Sequence, residues 1–72
     1  MRQFYRVYTY SRMMTTGMNV FFHDRENAVA HFHELAKRAD VLACDIVENE
    51  HGYMSAFALT QTIKLEPMNF ED

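Results

Sequence analysis

From Gln3 to Arg12 the chain (QFYRVYTYSR) is dense in Tyr, Phe, Val and Thr and alternates with period two, which predicts a first strand. Met13–Gly17 (MMTTG) supplies a small polar turn ending in a glycine. Met18–His23 (MNVFFH) then resumes an extended apolar pattern, so the two runs predict a hairpin. The period changes after Asp24, a good N-cap with Glu26 in the first turn beyond it. Across Arg25–Ala39, the residues Ala28, Phe32, Leu35, Ala36 and Ala39 recur three and four apart, with Val29 at the edge of the stripe. Glu26, Asn27, Ala30, Glu34, Lys37 and Arg38 fill the opposite arc, and Glu34 and Arg38 stand four apart in the favoured orientation. This predicts a helix with one face on a sheet.

Beyond Asp40, Val41–Asn49 (VLACDIVEN) predicts a third strand, Glu50-His51-Gly52 a turn, and Tyr53–Leu65 (YMSAFALTQTIKL) a long fourth strand, bent or bulged, that Pro67 stops. The order β-β-α-β-β packs most simply as a four-stranded antiparallel sheet with one helix across one face, an α+β fold. A single domain is expected over residues 1–66, with a short acidic tail over 67–72.

Only one set of alternate positions in each strand lies beneath a single helix. Phe57, Leu59 and Ile63 of the fourth strand, with Leu42, Cys44 and Ile46 of the third, form the expected core. Met54, Ala56 and Ala58 then fall on the other face. The first strand carries aromatics in both sets, Tyr5 with Val7 and Phe4 with Tyr8 and Tyr10. That outer face is more apolar than a free monomer needs, so it is expected to be a contact surface unless the segment from Glu66 onward, with Met68 and Phe70, folds back over it.

Composition narrows the class. At 72 residues, 49% hydrophobic and 24% charged, the chain has material for one small core and is too apolar for intrinsic disorder. Cys44 is the single cysteine, so no internal disulfide forms and a reducing, cytoplasmic setting is expected. The longest apolar runs fall far short of the about 20 residues that cross a bilayer, and no secretory leader is evident, so no membrane partner is expected. The net charge is −3, divided unevenly: residues 1–42 hold six basic and four acidic side chains, residues 43–72 one basic and six acidic. Such a balance argues against a dedicated nucleic-acid binder.

Chemistry-bearing residues are few. His31 and His33 lie two apart, which on a helix turns them about 200° from each other and rules out shared chelation. His23 precedes the helix cap and His51 lies in a turn. Cys44 has the parity of a core residue, and Asp45, Glu48 and Glu50 gather at the second hairpin as a solvated rim. The chain has no Gly-rich phosphate loop, nucleophile elbow, HExxH or CxxC. A non-enzymatic protein without metal or cofactor is therefore expected.

The strongest pattern left is the even set of the first strand, Arg2, Phe4, Arg6, Tyr8, Tyr10 and Arg12, which interleaves cations with aromatics on one face. Such a mixture makes protein hot spots, and it also stacks bases and holds phosphates in single-strand binders. Met13, Met14 and Met18 add adaptable thioethers at the first turn.

A short acidic chain built as a hairpin, a capped helix (HDRENAVAHFHEL) and a second hairpin (DIVENEHGYMSAFAL) resembles small phage-encoded inhibitors, including some anti-CRISPR proteins. The likeness lies in element order and size and covers most of the chain. It implies a non-catalytic inhibitor that docks on a host defence complex through one face. The expected function is thus a protein-binding module that docks on a protein partner or on a second copy as a homodimer, with Phe4, Arg6, Tyr8, Tyr10, Arg12, Met54, Ala56 and Ala58 as contact residues. The alternatives are a single-stranded nucleic-acid binder using the Arg and Tyr face of the first strand, and a small ligand-binding or enzyme subunit.

Overall fold

A computed structural model of the chain describes residues 2–11, 19–42, 45–59 and 61–70. Along the chain these form β1 (Arg2–Tyr10), β2 (Asn19–Phe22), α1 (Arg25–Arg38), β3 (Ile46–Glu48), β4 (Met54–Phe57) and β5 (Thr62–Phe70). All strand pairs are antiparallel and build one sheet in the spatial order β2-β1-β5-β4-β3, with α1 packed on one face against β1, β5 and β2. The fold is α+β with an antiparallel sheet, but it has five strands rather than four and the order β-β-α-β-β-β.

The extra strand comes from a reversal inside the segment expected to be one long strand. The chain turns back between Ala58 and Gln61, where the Ala58 N–H donates to the Gln61 carbonyl at 2.9 Å. β4 and β5 then pair from Met54↔Leu65 to Phe57↔Thr62. No Gly, Pro, Asn or Asp marks this turn, so the usual punctuation is missing. Its effect on the faces is large, because a turn uncouples the parity of the two strands it joins. β4 buries Met54 and Ala56 while β5 buries Ile63 and Leu65. Phe57 and Leu59, expected in the core, are exposed, Leu59 fully so. Leu42 is also exposed, Ile46 is half-buried as a shorter β3 allows, and Cys44 lies outside the described residues.

Pro67 does not stop the last strand. It pairs with Tyr5 inside β5, whose ladder with β1 runs unbroken from Arg2↔Phe70 to Tyr10↔Thr62. β4 ends its pairing at Leu65, so beyond that point β5 has a neighbour on one side only and a residue without an N–H is tolerated. The segment expected as a tail is therefore strand as far as Phe70, held in the plane of the sheet and not folded over it.

α1 has the expected stripe: Ala28, Phe32 and Ala36 are buried, with Val29, Leu35 and Ala39 packed beside them. They meet Val7, Met54, Ala56, Ile63 and Leu65 from the sheet in one apolar core, and among the described residues no polar or charged side chain is buried. Asp24 stands at the N-cap with extended backbone, although its side chain makes no capping hydrogen bond. The C-terminus closes as a Schellman motif: the Val41 N–H donates to the Ala36 carbonyl at 2.9 Å, and the Asp40 N–H to the Lys37 carbonyl at 3.1 Å. Asp40 supplies the left-handed residue, with φ of 58°, where glycine is usual. On the opposite arc Arg38 and Glu34 pair at 3.4 Å in solvent.

The β3–β4 turn is tied to the helix start. The Asn49 side-chain oxygen accepts from the N–H groups of His51 and Tyr53 at 2.9 and 3.0 Å, and Gly52 takes φ of 85°. Arg25 reaches across to donate to Glu48 at 2.7 Å and to the Gly52 carbonyl at 3.4 Å. A β-carbon at Gly52 would stand 3.3 Å from the Arg25 guanidinium and 3.5 Å from the Pro67 ring, so close approach and positive φ both favour glycine.

Two stability measurements check this assignment. In urea titrations of the dilute, monomeric chain Phe32→Ala is expected to cost about 3–5 kcal/mol, whereas Phe57→Ala, in a residue more than half exposed, costs no more than about 0.5 kcal/mol; equal costs would contradict the parity of β4. Asp40→Gly is expected to stabilise by about 0.5–1 kcal/mol, because it relieves the left-handed backbone and removes an acid from the negative end of α1.

Candidate protein-binding face

The face of the sheet away from α1 is set by register. Val7 is buried beneath the helix, so its flanking positions Phe4, Arg6, Tyr8 and Tyr10 rise on the other side of β1. The cross-strand partners are Met68, Glu66, Lys64 and Thr62 on β5, opposite Phe4, Arg6, Tyr8 and Tyr10 respectively. On β2, Phe21 lies opposite Arg6 and Asn19 opposite Tyr8. Ser55 and Phe57 of β4 and Val47 of β3 continue the same face.

Polar contacts bind this surface into one array. The Tyr8 hydroxyl donates to Glu66 Oε1 at 2.7 Å, and Arg6 Nε donates to Asn19 Oδ1 at 2.8 Å. The Arg6 guanidinium carbon stands 4.1 Å from the centre of the Tyr8 ring, and Arg6 Nη1 lies 3.9 Å from Glu66 Oε2. Tyr8 stacks on Tyr10 with ring centres 6.1 Å apart, Lys64 Nζ lies 6.0 Å from the Tyr10 ring, and Phe4 meets Phe21 at 5.7 Å. Burial, then the hydrogen bond to Glu66 and its negative charge, push the Tyr8 hydroxyl up to about 12, while Arg6 pulls the other way.

Several expected contact residues are brought together here and several are not. Phe4, Arg6, Tyr8 and Tyr10 share the face. Met54 and Ala56 do not, because the β4–β5 turn places them in the core under α1. Ala58, just past β4, is half-buried and lines an open depression of about 590 Å³ with Arg38, Ala39, Asp40, Val41 and Leu59. Arg12 lies outside the described residues, as do Met13, Met14 and Met18, and nothing is described of the Arg2 side chain. Lys64, Glu66, Met68 and Phe21 join the face unexpectedly. Their signal was the alternation of TIKLEPM and NVFF, legible once the turn before Gln61 and the pairing partner are known.

Comparisons of the chain with protein-family models, with curated proteins and with solved structures find no match. The case for function therefore rests on the geometry alone.

The titratable residues scatter. His31 is half-buried against Phe22, ring centres 5.3 Å apart, and its cavity is lined by Thr9, Val20, Leu35, Arg38 and Gln61 without any hairpin acid. His33 is exposed, His51 stands 3.4 Å from Glu50, and Glu48 is occupied by Arg25. Among the described residues no three His, Cys, Asp or Glu side chains are grouped to hold a metal ion, and no helix is long and apolar enough to cross a membrane.

The contact between Tyr8 and Glu66 has a consequence for alkaline stability. The folded chain holds the Tyr8 proton more tightly than the usual value of 10.0, so on raising the pH the unfolded chain releases it first. The stabilisation is complete below about pH 10 and lost between there and about pH 12. Near-ultraviolet absorbance titration is expected to show Tyr8 ionising late, and Glu66→Gln is expected to move it down toward the usual value of 10.0. An unchanged profile in that variant would remove Glu66 as a cause.

Proposed function

We propose that this chain is a non-enzymatic protein-binding module whose outer sheet face is its docking surface. The observation that carries the reading is a sheet face, uncovered by the only described helix, on which Phe4, Tyr8, Tyr10 and Phe21 stand among Arg6, Lys64 and Glu66. Buried aromatic and guanidinium groups dominate hot spots because they offer large contact area at low entropic cost together with directed hydrogen bonds. Phe21 is 58% exposed and Tyr10 42% exposed, a cost to an isolated molecule and a source of affinity to a docked one. A module of this kind acts by steric occupation of its partner's surface, with no bond made or broken.

A second reading, a single-stranded nucleic-acid platform, draws on one specific observation, the placing of Arg6 over the Tyr8 ring and Lys64 beside Tyr10. Glu66 at the middle of that platform and the net charge of −3 weigh against a polyanion.

The two are separated by a photo-crosslinking amino acid placed at Phe21 or, as control, at Ala30 on the solvent face of α1. In host extract the Phe21 position is expected to give a discrete protein adduct that unlabelled chain competes away and the Tyr8→Glu variant does not. Equal adducts from both positions would sink the protein-docking reading. Salt-sensitive binding of a labelled thymidine oligomer, lost in Arg6→Ala, would replace it with the second.

A further inference from the structure

The docking face is complementary to itself. Its two long strands, β1 and β5, are nine residues each and lie side by side, with Arg6 directly across from Glu66, Tyr8 from Lys64 and Phe4 from Met68. A twofold axis running along the groove between these strands, parallel to them, lays β1 of one copy over β5 of the other. Because each pair sits at one level of the ladder, the same operation sets Arg6 opposite the partner's Glu66, Tyr8 opposite the partner's Lys64 and Phe4 opposite the partner's Met68. The match extends outward. Phe21 is level with Arg6 on β2, and Tyr53, one step before the Met54↔Leu65 pair, is level with Glu66, so these two exposed rings also face one another across the axis.

Other placements of the axis lose this match. Centred on β5, the axis sets Glu66 against the partner's Glu66 and Lys64 against the partner's Lys64, and like charges across an interface are costly. The geometry of Glu66 also leaves room for a facing cation: Oε1 takes the Tyr8 hydroxyl, while Oε2 is 3.9 Å from Arg6 of its own chain, beyond hydrogen-bonding reach. Size fits as well. β1 and β5, nine residues each, with the shorter β2, β4 and β3 beside them, give a planar footprint of about 450 Å². With side-chain relief this stays below the about 800 Å² that each partner contributes to a standard stable interface, which suits a weak, reversible dimer.

We propose that the outer sheet face docks on a second copy of this chain, forming a twofold dimer in which the two sheets pack face to face with both helices outside. Arg6 of each copy pairs with the partner's Glu66 at the centre. This rests on the protein-docking reading of the face and names its occupant. Aligned sheets pack at about 30° to one another, so the central pairs keep their register best and the outer strands splay. The four layers are then helix, sheet, sheet, helix, and the exposed aromatics of both copies form the shared interior.

Sedimentation equilibrium across a micromolar to millimolar range tests the dimer, with circular dichroism confirming that each variant folds. The wild-type chain is expected to dimerise reversibly. Arg6→Glu alone and Glu66→Arg alone each place like charges across the axis and are expected to weaken self-association by about 100-fold or more. Mixing these two variants is expected to restore a heterodimer near wild-type affinity, because each copy then meets the opposite sign in its partner. Restoration on mixing cannot come from the pair within one chain, since neither variant regains it. A dimer indifferent to either substitution, or no restoration on mixing, overturns the proposed packing. A chain monomeric throughout overturns self-association; if the Phe21 probe still gives its competitor-sensitive adduct with another protein, the docking reading survives, and if it gives none, both fall.

Discussion

Among the described residues a single helix faces five strands, and that imbalance governs the rest of the structure. α1 is 14 residues long and lies on the face made by β1, β5 and β2, where Phe32, Ala28 and Ala36 close over Val7, Ile63 and Leu65. A helix is about 10 Å across with its side chains, whereas five strands span about 20 Å and have two faces. The apolar core is therefore confined to one side. The rings that do not fit beneath α1 stand on the other, where they are organised by strand register rather than by a second layer. The candidate function lies on the surface the helix cannot reach.

That surface is ordered because its centre is the longest and most regular part of the molecule. The β1–β5 ladder holds nine consecutive residue pairs, and it fixes Arg6, Tyr8, Lys64 and Glu66 in a compact block before any partner arrives. Arg6 is held by Asn19 and by the Tyr8 ring, and Tyr8 by Glu66, so little side-chain freedom remains to be lost on docking. The edges are handled differently. β2 has four residues and β3 three, and short edge strands offer little template for pairing with another chain. Where β5 runs past β4 its edge carries Pro67, which lacks a donor, and the proposed face-to-face assembly uses the side of the sheet that α1 leaves uncovered.

The helix was legible in the sequence almost residue by residue, since its 3.6-residue period, its acidic first turn and its small-residue stripe are properties of one continuous segment. β1 and β2 were legible for the same reason. The segment Tyr53–Phe70 was not. Its alternation is genuine on both sides of Ala58, but the reversal there carries no Gly, Pro, Asn or Asp, and reading through it exchanged the faces of Phe57 and Met54. Pro67 misled in the opposite sense, because a proline stops a strand only where its missing N–H is needed, and β5 at that point has one neighbour.

The sequence by itself determined which residues alternate, where the helix begins and ends, and that β1 carries cations and rings on one face, because these depend on spacing along a local backbone. Only the tertiary structure decided which strand lies beside which. It placed Glu66 and Lys64 across from Arg6 and Tyr8, brought Phe21 to the same surface and sent Met54 and Ala56 into the core. The physical reason is that strand pairing joins positions far apart in the chain, as between Tyr8 and Lys64, through hydrogen bonds that any backbone makes alike. The choice of partner is settled by which arrangement buries the apolar stripe of α1, a property of the whole chain and of no single segment.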